Sequence, residues 1–507
     1  MSQLRPNITT LSVELIDEIM ELIPQQQLKD IRLVNKLFSE LWTVKKRLFS
    51  SITFNVNQHN LDLSKFQALA SGHTEMHISE PAVFVKELKV VSLDPYMGLA
   101  PKTEPHVDTD LCNRRLVALL GQVFWGLRNI RVLEWSMPIT EERHRPVFIA
   151  ATRFIAGLKN LQELQLSSLA EMDSPICGTL AAPSLSQLQS LMFSLPPDCN
   201  PKLLRHLRHN VVRSINLKKL TIESESLIHI CNVLRPENNT STTSFPMTEL
   251  TITKLEVHDQ CPLDRKILDS LGNLTVLQVD RIHSDEDTVP AVADSVWTHL
   301  DASHFTSLRQ LTTSLVSQNL VLDLSDNFPV LRYLVLDFLD IGVVHDDYYE
   351  QLSDTFFNDV VPSLSGRIES LEIWSPEGSK WCYGTQSADR FKGMVKQLPK
   401  LNSLVICVYK TEEELQTPTV VLPEINNMIH VARSHKYLSN LSLCNQNFSM
   451  PESWECPWND PVRRMTKKKF ALFPRVTLLE IRTAFKAYPS NGGVTYRRIG
   501  QIPVVVE

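Results

Sequence analysis

Glycine is scarce in this chain, with 15 in 507 residues. Loops that cradle phosphates with backbone N–H groups need glycine where the chain turns tightly against the ligand, and none is found. The nucleophile-elbow pattern GxSxG and the zinc-protease pattern HExxH are also absent. Nine cysteines stand singly from Cys112 to Cys456, without a CxxC or a tight cluster. That spacing excludes a disulfide framework and a zinc site, and it reads as reduced thiols of the cytoplasm and/or nucleus. No stretch approaches ~20 uninterrupted apolar residues, and the N-terminus lacks an apolar signal core, so no membrane segment is expected. The formal net charge of −6 gives no electrostatic reason to expect nucleic acid. No catalytic residue, cofactor or metal is expected.

What is present is a globular composition, 43% hydrophobic and 21% charged, in a chain too long for one ordinary core. A short apolar phrase recurs thirteen times: an aliphatic residue, two others, leucine, one other, then a second aliphatic. Phe328 to Leu336, Leu398 to Ile406 and Phe473 to Ile481 are close copies. The anchor leucines are Leu88, Leu133, Leu164, Leu191, Leu220, Leu250, Leu277, Leu311, Leu334, Leu371, Leu404, Leu441 and Leu479, with a mean spacing of about 33 residues and extremes of 23 and 45. Two residues past each anchor, on the same side of a strand, twelve of thirteen positions are apolar; the exception is Thr313.

Between the strands the period changes to 3.6. Leu116, Leu119, Leu120, Val123 and Phe124 form one stripe; Leu352, Phe356, Phe357 and Val360 form another, before Pro362. A third, Phe391, Met394, Val395 and Leu398, follows Ser387 as an expected N-cap. Strand, turn and helix in repetition predict an α/β solenoid, a curved array with parallel strands inside and helices outside. The pattern resembles the leucine-rich repeats over residues 57–487, with 488–507 as a tail or capping strand. Leu169, Leu255, Ile282 and Leu339 occupy the place where that family usually carries an asparagine ladder.

Residues 8–56 read differently. Ser12 is placed to cap a helix, and Leu15, Ile16, Ile19, Met20, Leu22 and Ile23 follow on a broad apolar face until Pro24. A second helical stretch carries Leu28, Ile31, Val34, Leu37, Phe38, Leu41 and Trp42. So few residues expose more apolar surface than they can bury among themselves, so a partner is expected. The order Leu11, Glu14-Leu15-Ile16, Ile19, Ile23-Pro24, Leu28, Ile31-Arg32-Leu33-Val34-Asn35-Lys36, Phe38 and Leu41 resembles an F-box, with Ser12 for the usual proline and Asn35 for a frequent cysteine. The resemblance implies docking to the Skp-type adaptor, and through it a cullin, of an SCF-type ubiquitin ligase. Leu11, Leu15, Ile16, Ile19, Pro24, Leu28, Val34, Lys36 and Phe38 would carry or support the contact. The chain would then be a non-catalytic substrate-recognition subunit that works by proximity. The alternative is a repeat scaffold without a ligase role, its N-terminal helices only capping the array.

A target surface is expected where strand side chains point away from the core. Tyr333, Val335, Asp337, Glu372 and Trp374 form an aromatic-plus-acid patch on adjacent strands. Other clusters are read as solvated: Asp285-Glu286-Asp287, His345-Asp346-Asp347, the His206 and His209 pair with Arg205 and Arg208, and the basic run Arg463 to Lys469.

Overall fold

Every anchor leucine whose burial is described is 2% exposed or less, and equivalent anchors stand opposite one another on neighbouring strands. The computed structural model describes residues 12–34, 42–57, 59–70, 80–95, 107–136, 145–167, 187–195, 199, 201–224, 226–235, 246–255, 265–281, 297, 302–338, 347–375, 379–383, 388–407, 426–432, 434–444, 478–482, 493–499 and 502–506. The chain divides into two units, residues 1–222 with 232–237 and residues 223–231 with 238–507.

The first unit opens with three helices, α1 (Val13–Leu22), α2 (Gln25–Val34) and α3 (Trp42–Leu48). Strand β1 (Ser51–Val56) follows, then α4 (Ser64–Ala70), α5 (Glu80–Phe84), β2 (Glu87–Leu93), α6 (Val107–Gly126), β3 (Val132–Trp135), α7 (Arg145–Gly157), β4 (Glu163–Leu166), β5 (Ser190–Leu195), α8 (Pro201–Arg213) and β6 (Lys219–Ser224). Helix α9 (Leu227–Leu234) lies at the border of the two units in sequence. The second unit contains β7 (Glu249–Leu255), α10 (Arg265–Ser270), β8 (Val276–Arg281), β9 (Gln310–Thr313), α11 (Gln318–Asp326), β10 (Tyr333–Asp337), α12 (Asp347–Thr355), β11 (Ser370–Trp374), α13 (Ala388–Gln397), β12 (Ser403–Cys407) and β13 (Asn440–Cys444). It ends with β14 (Leu478–Arg482), β15 (Gly493–Ile499) and β16 (Ile502–Val506).

Within each unit the strands lie in chain order and pair in parallel, apart from an antiparallel hairpin formed by β15 and β16 beside β14. Parallel neighbours need a crossover, and the intervening helices supply it. The sheet does not close, so the fold is an α/β repeat array. The residues two past the anchors are buried as well, from Val90 to Leu443, while positions between them alternate outward. Thr313, the polar exception, is fully buried, and its Oγ1 accepts the backbone N–H of Leu315 at 2.9 Å where the chain leaves β9. The helical stripes pack as their period requires: Leu116, Leu120 and Val123 on α6, and Phe391, Met394 and Val395 on α13, are all 2% exposed or less. Ser387 lies outside the described residues. Past α12 the helix does not stop before Pro362; it widens into a π turn, Phe356–Val360, and a last turn, Val361–Ser363.

A backbone ladder holds the repeats together at the strand entrances. Two residues before most anchors, one carbonyl accepts two successive N–H groups of the next repeat. Lys86 O receives Arg131 and Val132, Arg131 O receives Gln162 and Glu163, and Gln162 O receives Gln189 and Ser190. In the second unit Thr248, Thr275, Arg309, Arg332, Glu369 and Asn402 do the same, at 2.7–3.1 Å throughout. Among the described residues the hydroxyls of Thr275 and Ser439 add a donor to Thr248 O and Asn402 O, but the paired N–H groups recur without them, so the stack does not depend on an asparagine at a fixed place.

The ladder also reveals an earlier repeat. Ser50 O receives Lys86 and Glu87, and Ile52 and Phe54 stand opposite Leu88 and Val90. The sheet therefore begins at β1, inside the 8–56 span expected to be helical.

Candidate functional site

The first candidate surface is on α1. Ser12 caps the helix, its Oγ accepting the Leu15 N–H at 3.4 Å. Arg47 on α3 donates to the carbonyls of Met20 and Glu21 at the other end, where a cation complements the helix dipole. Pro24 O accepts the N–H groups of Gln27 and Leu28 and starts α2. With its ends fixed, α1 presents two adjacent apolar stripes. Ile16 and Met20 are buried in a small core with Leu28 and Val44, against which Ile23, Ile31 and Leu48 pack. One residue earlier at each turn, Leu15 is 49% exposed, Ile19 is half-buried and Leu22 is 86% exposed. The three helices thus close a core of their own and leave a leucine stripe in solvent.

Of the residues expected to carry an adaptor contact, Ile16 and Leu28 build this core, while Leu15 and Pro24 are exposed and Ile19 lies between. Leu11, Lys36 and Phe38 lie outside the described residues; Val34 closes α2, and its side chain is outside the description too. Leu22 belongs to the exposed stripe although it was not singled out, and its spacing of seven from Leu15 is the signal that finds it.

The second candidate surface is on β10 and β11. In register, Val335 faces Glu372 and Asp337 faces Trp374. Tyr333 is 42% exposed, its hydroxyl donating to Glu369 at 3.4 Å, and Glu369 also pairs with Arg332 at 3.1 Å. Val335 and Glu372 are half-buried. Trp374 and Asp337, however, are 8% and 4% exposed. Trp374 packs with Cys382 and Cys407 between Val335 and Val405, and its Nε1–H donates to Glu372 Oε2 at 3.1 Å. The cause is the segment 379–383, which crosses beside the strand ends. Trp381 is fully buried against Phe338, Phe356 and Phe357, its Nε1–H donating to Tyr349 O, and Tyr383 N–H donates to Cys407 O. The Lys380 ammonium between Glu350 and Asp354 fastens that segment to α12, and both carboxylates raise its pKa. The accessible part of the patch is Tyr333, Val335 and Glu372.

Two further features stand outside these surfaces. A shallow cleft of about 320 Å³ is lined by Lys392, Lys396, Asn427, His430, Val431 and Ser434. Among the described residues no group of three or more metal-ligating side chains converges. Asp285 to Asp287, His345, Asp346 and the run Arg463 to Lys469 lie outside the described residues. Cys407 and Cys444 stand opposite one another on β12 and β13, and the buried Cys407 thiol, outside any disulfide, accepts the Ser375 N–H at 3.4 Å. Among the described residues no helix is long and apolar enough to cross a membrane. Comparison with models of known protein families gave no match, and no curated protein matches the chain.

Proposed function

We propose that the chain is a substrate-recognition subunit of an SCF-type ubiquitin ligase, with α1 to α3 as an F-box docking to a Skp-type adaptor and the leucine-rich repeats holding the target. The observation that carries the reading is the pair of stripes on α1. A helix that only capped the array would turn its apolar residues inward. Leu15 and Leu22 instead remain in water beside a core already closed by Ile16, Met20, Leu28 and Val44. Burying both leucines on a partner would contribute about 3–5 kcal/mol before the costs of association, enough to anchor an interface. The chain itself contributes proximity: one end held by the ligase core, the other by the client, with ubiquitin transfer performed by other subunits.

The test is co-elution of the full-length chain with a Skp-type adaptor. Leu15→Asp with Leu22→Asp is expected to abolish it while the circular dichroism of the array is unchanged. Failure of the intact, folded chain to bind the adaptor would favour the second reading, a repeat scaffold whose first helices only cap the sheet.

A further inference from the structure

The 24 residues from Cys199 to Ile222 contain six Lys or Arg, two His and no Asp or Glu, in a chain whose net charge is −6. Most of them form α8. Its apolar side chains, Leu203, Leu204, Leu207 and Val211, are 5% exposed or less, so the helix is locked onto its unit by one face. The other positions carry the charge. Lys202, Arg205, His206 and His209 recur at spacings of three and four, which places them along one stripe; Lys202 and Arg205 are exposed, and His206 and His209 half-buried. Burial, then the neighbouring His209 and Arg205, push the His206 imidazole pKa down. Two residues beyond the helix end Ile215 is 74% exposed, an aliphatic side chain in water.

We propose that this face of α8 is a docking surface for an acidic protein segment with an aliphatic residue at one end. Lys202 to His209 spans seven residues, or about 10 Å along the helix axis. In an extended peptide alternate side chains repeat at about 7 Å, so two carboxylates at alternate positions match Lys202 and Arg205, with the His206 and His209 rings beside them as polar partners. Ile215 gives the segment its apolar terminus. Other polyanions fit less well. The stretch contains no Phe, Trp or Tyr on which a base could stack, and the net negative charge opposes a long nucleic acid. A membrane surface would require apolar side chains to insert, yet those of α8 are spent on the core. The surface does not depend on the ligase reading: it specifies the chemistry of a client or regulator whichever role the first helices play.

The test is fluorescence anisotropy with the full-length chain and a labelled 12-residue peptide of alternating Glu and Ser ending in Leu. A matched Gln-for-Glu peptide, a 12-nucleotide single-stranded RNA and phosphatidylserine vesicles are the competitors. The acidic peptide is expected to bind, the Gln peptide not to, and Lys202→Glu with Arg205→Glu to weaken binding at least about tenfold at unchanged melting temperature. Ile215→Ser is expected to weaken it without altering its salt dependence. Absence of acidic-peptide binding, equal binding by the charge-reversed variant, or tighter binding of RNA or vesicles would overturn the proposal.

Discussion

Arg367 joins two repeats through backbone alone, which makes its removal a direct probe of how the array is held. Its guanidinium donates to Phe328 O at 2.8 Å, to Ser325 O and Ser363 O at 3.0 Å each, and marginally to Leu324 O at 3.5 Å. Leu324, Ser325 and Phe328 flank the C-terminal end of α11, where carbonyls have no intrahelical donors and the dipole favours a cation. Burial lowers the Arg367 pKa and Asp326 partly offsets it, yet the group stays charged at any working pH. In Arg367→Met the aliphatic stem remains and the donors go. Three well-formed charged bonds are worth about 1.5 kcal/mol each at the low end. The site is only half-buried, so water re-solvates some of the released carbonyls, and about 2–3 kcal/mol is the expected loss. Hydrogen exchange suits the test better than one melting temperature, because a repeat array need not unfold in a single step. Amides of α11 and β10 are expected to lose protection while those of β2 and β3 keep theirs. A loss below about 0.5 kcal/mol, or one spread evenly over both units, would refute the reasoning.

Two other perturbations have definite signs. Thr313→Val adds apolar surface at a fully buried site but removes the acceptor of the Leu315 N–H; a stranded buried donor costs more than a methyl gains, so destabilisation of about 1–2 kcal/mol is expected, and a neutral or stabilising outcome in urea titration would contradict it. His206 has its pKa lowered below 6.5 in the fold, so the unfolded chain binds the extra proton first; its contribution to stability is complete above pH 6.5 and is lost as pH falls through the folded value. His206→Asn is expected to flatten the acid limb of the stability profile below pH 6.5, and an unchanged slope would count against that assignment.

The repeat was legible because it lives in the inward positions. A strand buried on one face needs an apolar side chain at the anchor and again two residues later, whatever its neighbours, so twelve of thirteen such pairs could be read from letters alone. Strand β1 escaped because its anchor place holds Ile52, after two serines, and the leucine-anchored phrase does not cover that choice. Trp374 and Asp337 were misplaced for another reason. Alternation puts them at the end of a strand, but whether a strand end is wet depends on a distant segment crossing it. The packing of Trp381 among Phe338, Phe356 and Phe357 fixes that crossing and leaves no periodic trace. On α1, likewise, the letters show a broad apolar face, and only the position of Val44 on α3 decides which half of it is covered.

The same physics explains why a regular array can carry so irregular a sequence. At the strand entrances the repeats are joined by carbonyls accepting paired N–H groups, a bond any residue but proline can donate, and no ladder of identical side chains is needed. Each strand then requires only two apolar side chains, and the crossover helices need only a stripe. Outward positions are under no such packing demand. Outward departures from an ordinary solvated surface therefore carry the functional information. Two stand out: Leu15 and Leu22, aliphatic where water would favour a charge, and Lys202 and Arg205, exposed cations in a stretch with no carboxylate. Leu15 and Leu22 bury little against α2 and α3, and like charges three and four residues apart weaken a helix by a few tenths of a kcal/mol each. Features that cost the fold and sit in solvent are best accounted for by what they meet outside it.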